Sequence, residues 1–124
     1  MRVWKTKAFA RFARKAGLKD ASHCKAAADA ERGLIDAGLG AGVIKQPIAR
    51  RGQGKSGGFR VVILYRRGAR AFFVYGFAKS GRADISQDEL AALKELASEM
   101  LAYGETEITN AMELGPLIEV ICHE

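Results

Sequence analysis

Histidine, cysteine and proline are scarce in this 124-residue chain, with two of each. No apolar run approaches the ~20 residues of a membrane span. The N-terminal stretch MRVWKTKAFARFARK is basic but lacks the apolar core of a signal peptide. These absences point to a cytosolic protein. His23 and His123 lie near opposite ends of the sequence, so no pattern brings them together as the acid and base of a two-histidine ribonuclease. Cys24 and Cys122 form no CxxC and no Cys/His ligand spacing, so the expectation is two reduced thiols and no metal. No Ser/His/Asp set and no dinucleotide fingerprint is present. Most carboxylates fall in the last third of the chain, which gives no support to a catalytic acid pair.

What the chain does have is apolar bulk and positive charge. At 48% hydrophobic and 27% charged it can bury a core and stay soluble, most simply as one domain over residues 1–124. The charge is divided. Residues 1–84 carry 19 Lys/Arg against 5 Asp/Glu, and residues 85–124 carry 1 Lys against 9 Asp/Glu. A basic body of this kind suits a polyanion, nucleic acid first, although a highly charged soluble surface would look the same.

The densest signal lies in residues 57–82, GGFRVVILYRRGARAFFVYGFAKSGR. Two runs rich in Val, Ile, Phe and Tyr flank Arg67-Gly68, which predicts a β-hairpin. With a two-residue turn, the period of two splits it into two faces. Phe59, Val61, Ile63 and Tyr65, with Phe72, Val74, Gly76 and Ala78, form the core face. Arg60, Val62 and Leu64, with Ala71, Phe73, Tyr75, Phe77 and Lys79, form a half-exposed face that is cationic at one end. A loop one residue longer would send Lys79 to the other side.

Around the hairpin the order is β-α-α-β-β-β-α-(α)-β. Residues 1–5 fit a short edge strand. Thr6 caps a helix that Gly17 stops, and Asp20 caps a second helix running to Ala37. Residues 40–49 form a weaker strand in which Pro47 demands an edge or a bulge. Ser86 and Glu89 make an S-x-x-E capping box for a helix reaching about Tyr103. A short helix over residues 108–114 and a strand over residues 117–122 follow. The predicted fold is α+β: a small, mainly antiparallel sheet with an N-terminal αα-hairpin packed on one face and a C-terminal helix.

Residues 49–56 read A-x-x-x-x-G-K-S, a loose imitation of a phosphate-binding P-loop. A working P-loop opens a helix, and here Gly57-Gly58 leads into a strand. The stretch is better read as a basic glycine-rich loop in which Arg50, Arg51 and Lys55 reach phosphates. On the hairpin, Arg60 suits a phosphate because its charge is permanent and it offers two parallel hydrogen bonds. The alternative for Arg60 is a salt-bridged sheet residue. Tyr75 and Phe77 either stack on unpaired bases or simply pack.

GGFRVVILYRRG, then FFVYGFAKS, then the ISQDELAALKELA helix resembles the RelE/HigB-type toxins of bacterial toxin–antitoxin pairs, in the branch with a GGYR…GFAK…I-x-x-x-E pattern. The resemblance implies a RelE-like fold and a ribosome-dependent mRNA endonuclease. Such toxins cut mRNA in the decoding site through its own 2′-OH, without metal or cofactor. It also implies a neutralising antitoxin protein encoded alongside. The family's phosphate-binding hairpin arginine matches Arg60. Its assisting cation matches Lys79, with Arg82 as the alternative, and its basic residues before the hairpin correspond loosely to Arg50, Arg51 and Lys55. Some relatives carry a catalytic tyrosine soon after the second cation, and ADISQD at residues 83–88 offers none. Two other readings stay open: a non-enzymatic toxin of the same fold that binds DNA gyrase, and an RNA- or ribosome-binding module that does not cleave.

Overall fold

A computed structural model describes residues 1–50, 54–80 and 84–123, with backbone alone at residue 50 and residues 54–57. The elements run β1 (Arg2–Thr6), α1 (Lys7–Ala16), α2 (Asp20–Glu31), β2 (Ala37–Gly40), β3 (Val43–Arg50), β4 (Gly54–Arg66), β5 (Arg70–Ala78), α3 (Gln87–Met100), α4 (Glu105–Leu114) and β6 (Leu117–Val120). Among the described residues this is an α+β fold. One six-stranded sheet of order β2-β3-β4-β5-β1-β6 is antiparallel except where β1 lies parallel to β5.

The ends of α1 and α3 follow the caps, whereas Asp20 is the first residue of α2 rather than its cap: Lys19 holds the N-cap position without a side-chain hydrogen bond. The Thr6 hydroxyl accepts from the Phe9 amide at 3.1 Å, and Gly17 closes α1 in the left-handed conformation with φ 73°. Ser86 and Glu89 form the reciprocal capping box of α3. Helices cover both faces of the sheet. On one face Phe9, Ala13, Ala26, Ala27 and Ala30 of the αα-hairpin meet Val61, Ile63 and Phe73. On the other, Ala97, Met100, Leu101 and Ile108 meet Trp4, Val62, Leu64 and Phe72. The αα-hairpin therefore lies where the alternation puts it, but the opposite face is not half-exposed along its length. Val62 and Leu64 are buried under α3, because a strand apolar on both sides needs cover on both sides.

Other expectations need correction. α2 stops at Glu31, followed by Gly33 with φ 82°, and residues 37–40 are a strand rather than the end of the helix. β1 is an inner strand between β5 and β6. Pro47 sits on the inner strand β3, but the last β2 pair is opposite Lys45, so Pro47 has a strand on one side only. Cys24 and Cys122 are joined as a disulfide with Cα atoms 5.6 Å apart, not two free thiols. The short C-terminal helix begins at Glu105 rather than at residue 108, and the last strand ends at Val120 rather than at residue 122.

The β4–β5 hairpin contains two one-residue departures that cancel. Its loop has three residues, since Arg66 pairs with Arg70 and Gly68 adopts φ 74°. This swaps the predicted faces of residues 71–73, so that Phe72 meets Trp4 while Ala71 and Phe73 join the αα-hairpin side. A bulge between Val62 and Ile63 in the register then leaves Val74 unpaired and restores the parity. Beyond the bulge Gly76 faces α1. A Cβ there would lie 2.3 Å from Cε2 of Phe12, whose ring is held by Phe9 and Phe59. Gly76→Ala should cost about 1–3 kcal/mol through overpacking, read as a lower midpoint in urea.

Glu31, at the end of α2, clamps the hairpin loop. Its carboxylate accepts a short hydrogen bond from the Tyr65 hydroxyl and one of 2.9 Å from the Gly68 amide. The Tyr65 bond, then the Gly68 amide, holds the Glu31 carboxyl below its ordinary 4.5. Burial, then the bond to Glu31, pushes the Tyr65 phenol up to about 12. The depressed carboxyl stabilises fully above pH 4.5 and loses that contribution as pH falls through its folded value. The raised phenol stabilises fully below pH 10.0 and loses its contribution as pH rises toward about 12. Tyr65→Phe should therefore flatten the alkaline fall in stability and weaken the acid one. Urea midpoints measured from pH 3 to 12, as roughly spaced points, check both limbs.

Candidate nucleic-acid interface

Past the bulge, the α3 side of the sheet is organised in two rows. Lys45, Val62 and Tyr75 stand side by side across β3, β4 and β5, and Pro47, Arg60 and Phe77 form the next row. Lys45 and Tyr75 are thus diagonal neighbours of Arg60, within reach of long side chains. Each polar group of this patch has a carboxylate beside it. Arg60 Nε lies 3.7 Å from Asp36 Oδ2, and Arg60 Nη1 donates to the Phe59 carbonyl at 3.3 Å. Lys45 Nζ is 3.2 Å from Asp84 Oδ1. The Tyr75 hydroxyl donates to Glu89 Oε2 at 3.2 Å, while Glu89 Oε1 accepts from the Ser86 amide at 2.9 Å. The capping box of α3 thereby brings Glu89 onto the patch. A cleft of about 200 Å³ opens there, lined by Tyr75, Glu89, Ala92 and Leu93.

Of the residues picked from the sequence, Arg60, Tyr75 and Phe77 come together. The Lys79 amide donates to the Gly58 carbonyl at 3.1 Å, which extends the register and puts Lys79 next to the Arg60–Phe77 pair along the strands. Phe77 is only 6% exposed, so Tyr75 is the more accessible ring. Arg50 ends β3 and Lys55 lies near the start of β4, and their side chains lie outside what the structure describes. Arg51 and Arg82 lie outside the described residues. Sequence reasoning passed over Lys45, Asp36, Asp84 and Glu89 as site residues. For Lys45 a signal existed, since counting back by two from Pro47 opposite Arg60 reaches it. Asp36 is delivered by a loop, and nothing local announces that.

The chemistry available is charge for a phosphate, a ring for a base, and carboxylates as proton acceptors. The histidines do not join it. His23 is fully buried on the far face between Phe9 and Phe73. Its Nδ1 comes within 3.3 Å of Asp20 without forming a hydrogen bond, and burial holds its pKa below the ordinary value. A larger cleft of about 490 Å³, between α4 and the start of α1, is mostly apolar and contains none of the patch residues.

A helix-covered, mainly antiparallel sheet with cations and a tyrosine gathered at one end makes this a small basic α+β protein. The chain matches, over residues 1–120, the family model described as the RelE toxin of the RelE/RelB toxin–antitoxin system, and it belongs to that family. No curated protein shows a significant match to it. Among the described residues, no helix is long and apolar enough to cross a membrane.

Proposed function

We propose that the chain, as one RelE-like domain over residues 1–124, is a cytoplasmic, ribosome-dependent mRNA endonuclease. The 2′-OH of the message attacks the adjacent phosphorus, and Arg60 stabilises the negative charge that grows on the phosphoryl oxygens, assisted by Lys79. Arg82, Arg50, Arg51 and Lys55 supply further phosphate contacts, and Tyr75 and Phe77 a surface for a base. The observation that carries this reading is the row geometry, in which Arg60 stands one row from Lys45 and Tyr75, diagonal to both, with carboxylates in reach. That set supplies both charge stabilisation and proton transfer without a cofactor.

The partner is an antitoxin encoded beside it, which covers or distorts this basic face. Controlled expression in bacteria, with growth and primer extension on mRNA followed together, tests the reading. New cleaved ends at ribosome-bound codons are expected. DNA damage without such ends would mean the gyrase-binding alternative, and neither effect would mean a non-cleaving RNA- or ribosome-binding module.

A further inference from the structure

Gln46 is a polar residue in an apolar place. It lies on β3 between Ile44 and Ile48, opposite Val61, on the face covered by α2, and is 1% exposed. A leucine would fill that position, and a buried amide is costly unless its hydrogen bonds are made. One goes to α2 and two go to the stretch that follows it. Gln46 Nε2 donates to the carbonyls of Ala26 at 3.2 Å and Leu34 at 2.9 Å, and Oε1 accepts from the Asp36 amide at 2.8 Å. The stretch between α2 and β2 has no ladder of its own, and Gln46 fixes it at both Leu34 and Asp36. What that fixes in turn is the Asp36 carboxylate, which lies beside Arg60 Nε at 3.7 Å.

We propose that Asp36, held by Gln46, is a positioning residue for Arg60, orienting the guanidinium for the scissile phosphate. This rests on the endonuclease reading above. Asp36 is placed at Nε, and the Phe59 carbonyl takes one proton of Nη1. The ion pair and the hydrogen bond together constrain the plane of the guanidinium. An arginine already oriented loses less freedom when it engages the transition state. Asp36 acts through Arg60, so its effect requires Arg60.

The test measures mRNA cleavage on ribosomes in a reconstituted translation system, together with the Nε–Hε NMR signal of Arg60. In Asp36→Ala, kcat should fall by at least roughly tenfold with KM changed much less. Asp36→Asn, which keeps the shape of the side chain but not the charge that sits 3.7 Å from Nε, should recover little of the loss. The double variant Asp36→Ala/Arg60→Ala should cleave no worse than Arg60→Ala alone, as expected for two residues acting as one unit. The Arg60 Nε–Hε signal should shift and broaden in Asp36→Ala, and change likewise in Gln46→Leu. A double variant well below Arg60→Ala would make Asp36 an independent proton acceptor and overturn the proposal. So would an Arg60 signal indifferent to Asp36→Ala. If the wild-type protein cuts no message, the endonuclease reading fails, and the NMR signal alone then decides whether Asp36 positions Arg60.

Discussion

In Arg60→Ala, cleavage of ribosome-bound mRNA should fall roughly ten- to a hundredfold while the melting temperature barely moves. The rate estimate follows from losing a charge-assisted contact of about 1.5–3 kcal/mol that is made in the transition state. The stability expectation follows from the surroundings. The Arg60 side chain is 14% exposed, but its ionic partner Asp36 is 38% exposed and is hydrated once the arginine is gone. The pair is partly open to solvent, so its removal does not strand a charge in the core. Arg60→Lys should also be poor, because a point charge loses the forked geometry that a phosphate uses. Lys79→Ala should cost less, as a following cation at Arg82 is close in sequence. Arg67→Ala is the control. Its guanidinium donates to the Glu31 carbonyl at 3.3 Å on the exposed loop, well away from the patch. If Arg60 were only a structural salt bridge, Arg60→Ala would lower the melting temperature and leave cleavage per folded molecule unchanged. Measuring both quantities on the same preparation separates the two.

Much of the frame around Arg60 is written locally. Thr6, Gly17, Ser86 and Glu89 act within a turn of their own positions, and each cap lies where hydrogen-bonding logic puts it. The hairpin was legible for the same reason, but its register was not. A three-residue loop and a bulge each shift the pairing by one, and neither follows from composition. The shifts cancel beyond Val62, so Arg60, Tyr75 and Phe77 share a face although residues 71–73 do not follow the simple alternation. The covered second face was available in principle, because Val62 and Leu64 are as apolar as Val61 and Ile63. Asp36 and Gln46 were not, since their contact forms only when the stretch before β2 folds against β3, ten residues on in sequence. The stop after α2 was obscured by the apolar residues Leu34 and Ile35, which continue a helical pattern but are exposed.

Reducing the bond between Cys24 and Cys122 should have the largest effect on stability. The two cysteines are 98 residues apart in sequence, so the bond closes almost the whole chain into a loop. Constraining an unfolded chain over that length is worth about 2–4 kcal/mol, which corresponds to roughly 10 °C or more in melting temperature for a domain of this size. The native side loses little. Beyond Val120 the tail is exposed at Ile121 and His123, so few packing contacts depend on the bond. The effect should therefore come mainly through the unfolded state. Cys122→Ser should melt where the reduced wild-type protein melts and should be insensitive to reductant, while the oxidised wild type melts higher. Cleavage measured well below both transitions should be the same for all three, because the bond ties α2 to the chain after β6, three strands from β4 and on the opposite side of the sheet from Arg60. Disulfides are uncommon in reducing compartments, so the proposed function requires that the protein be folded in its reduced form as well. Thermal melts with and without reductant, set beside the cleavage assay, decide the matter. Equal melting temperatures would show that the bond adds no stability, and loss of cleavage on reduction below the transition would show that it reaches the site after all.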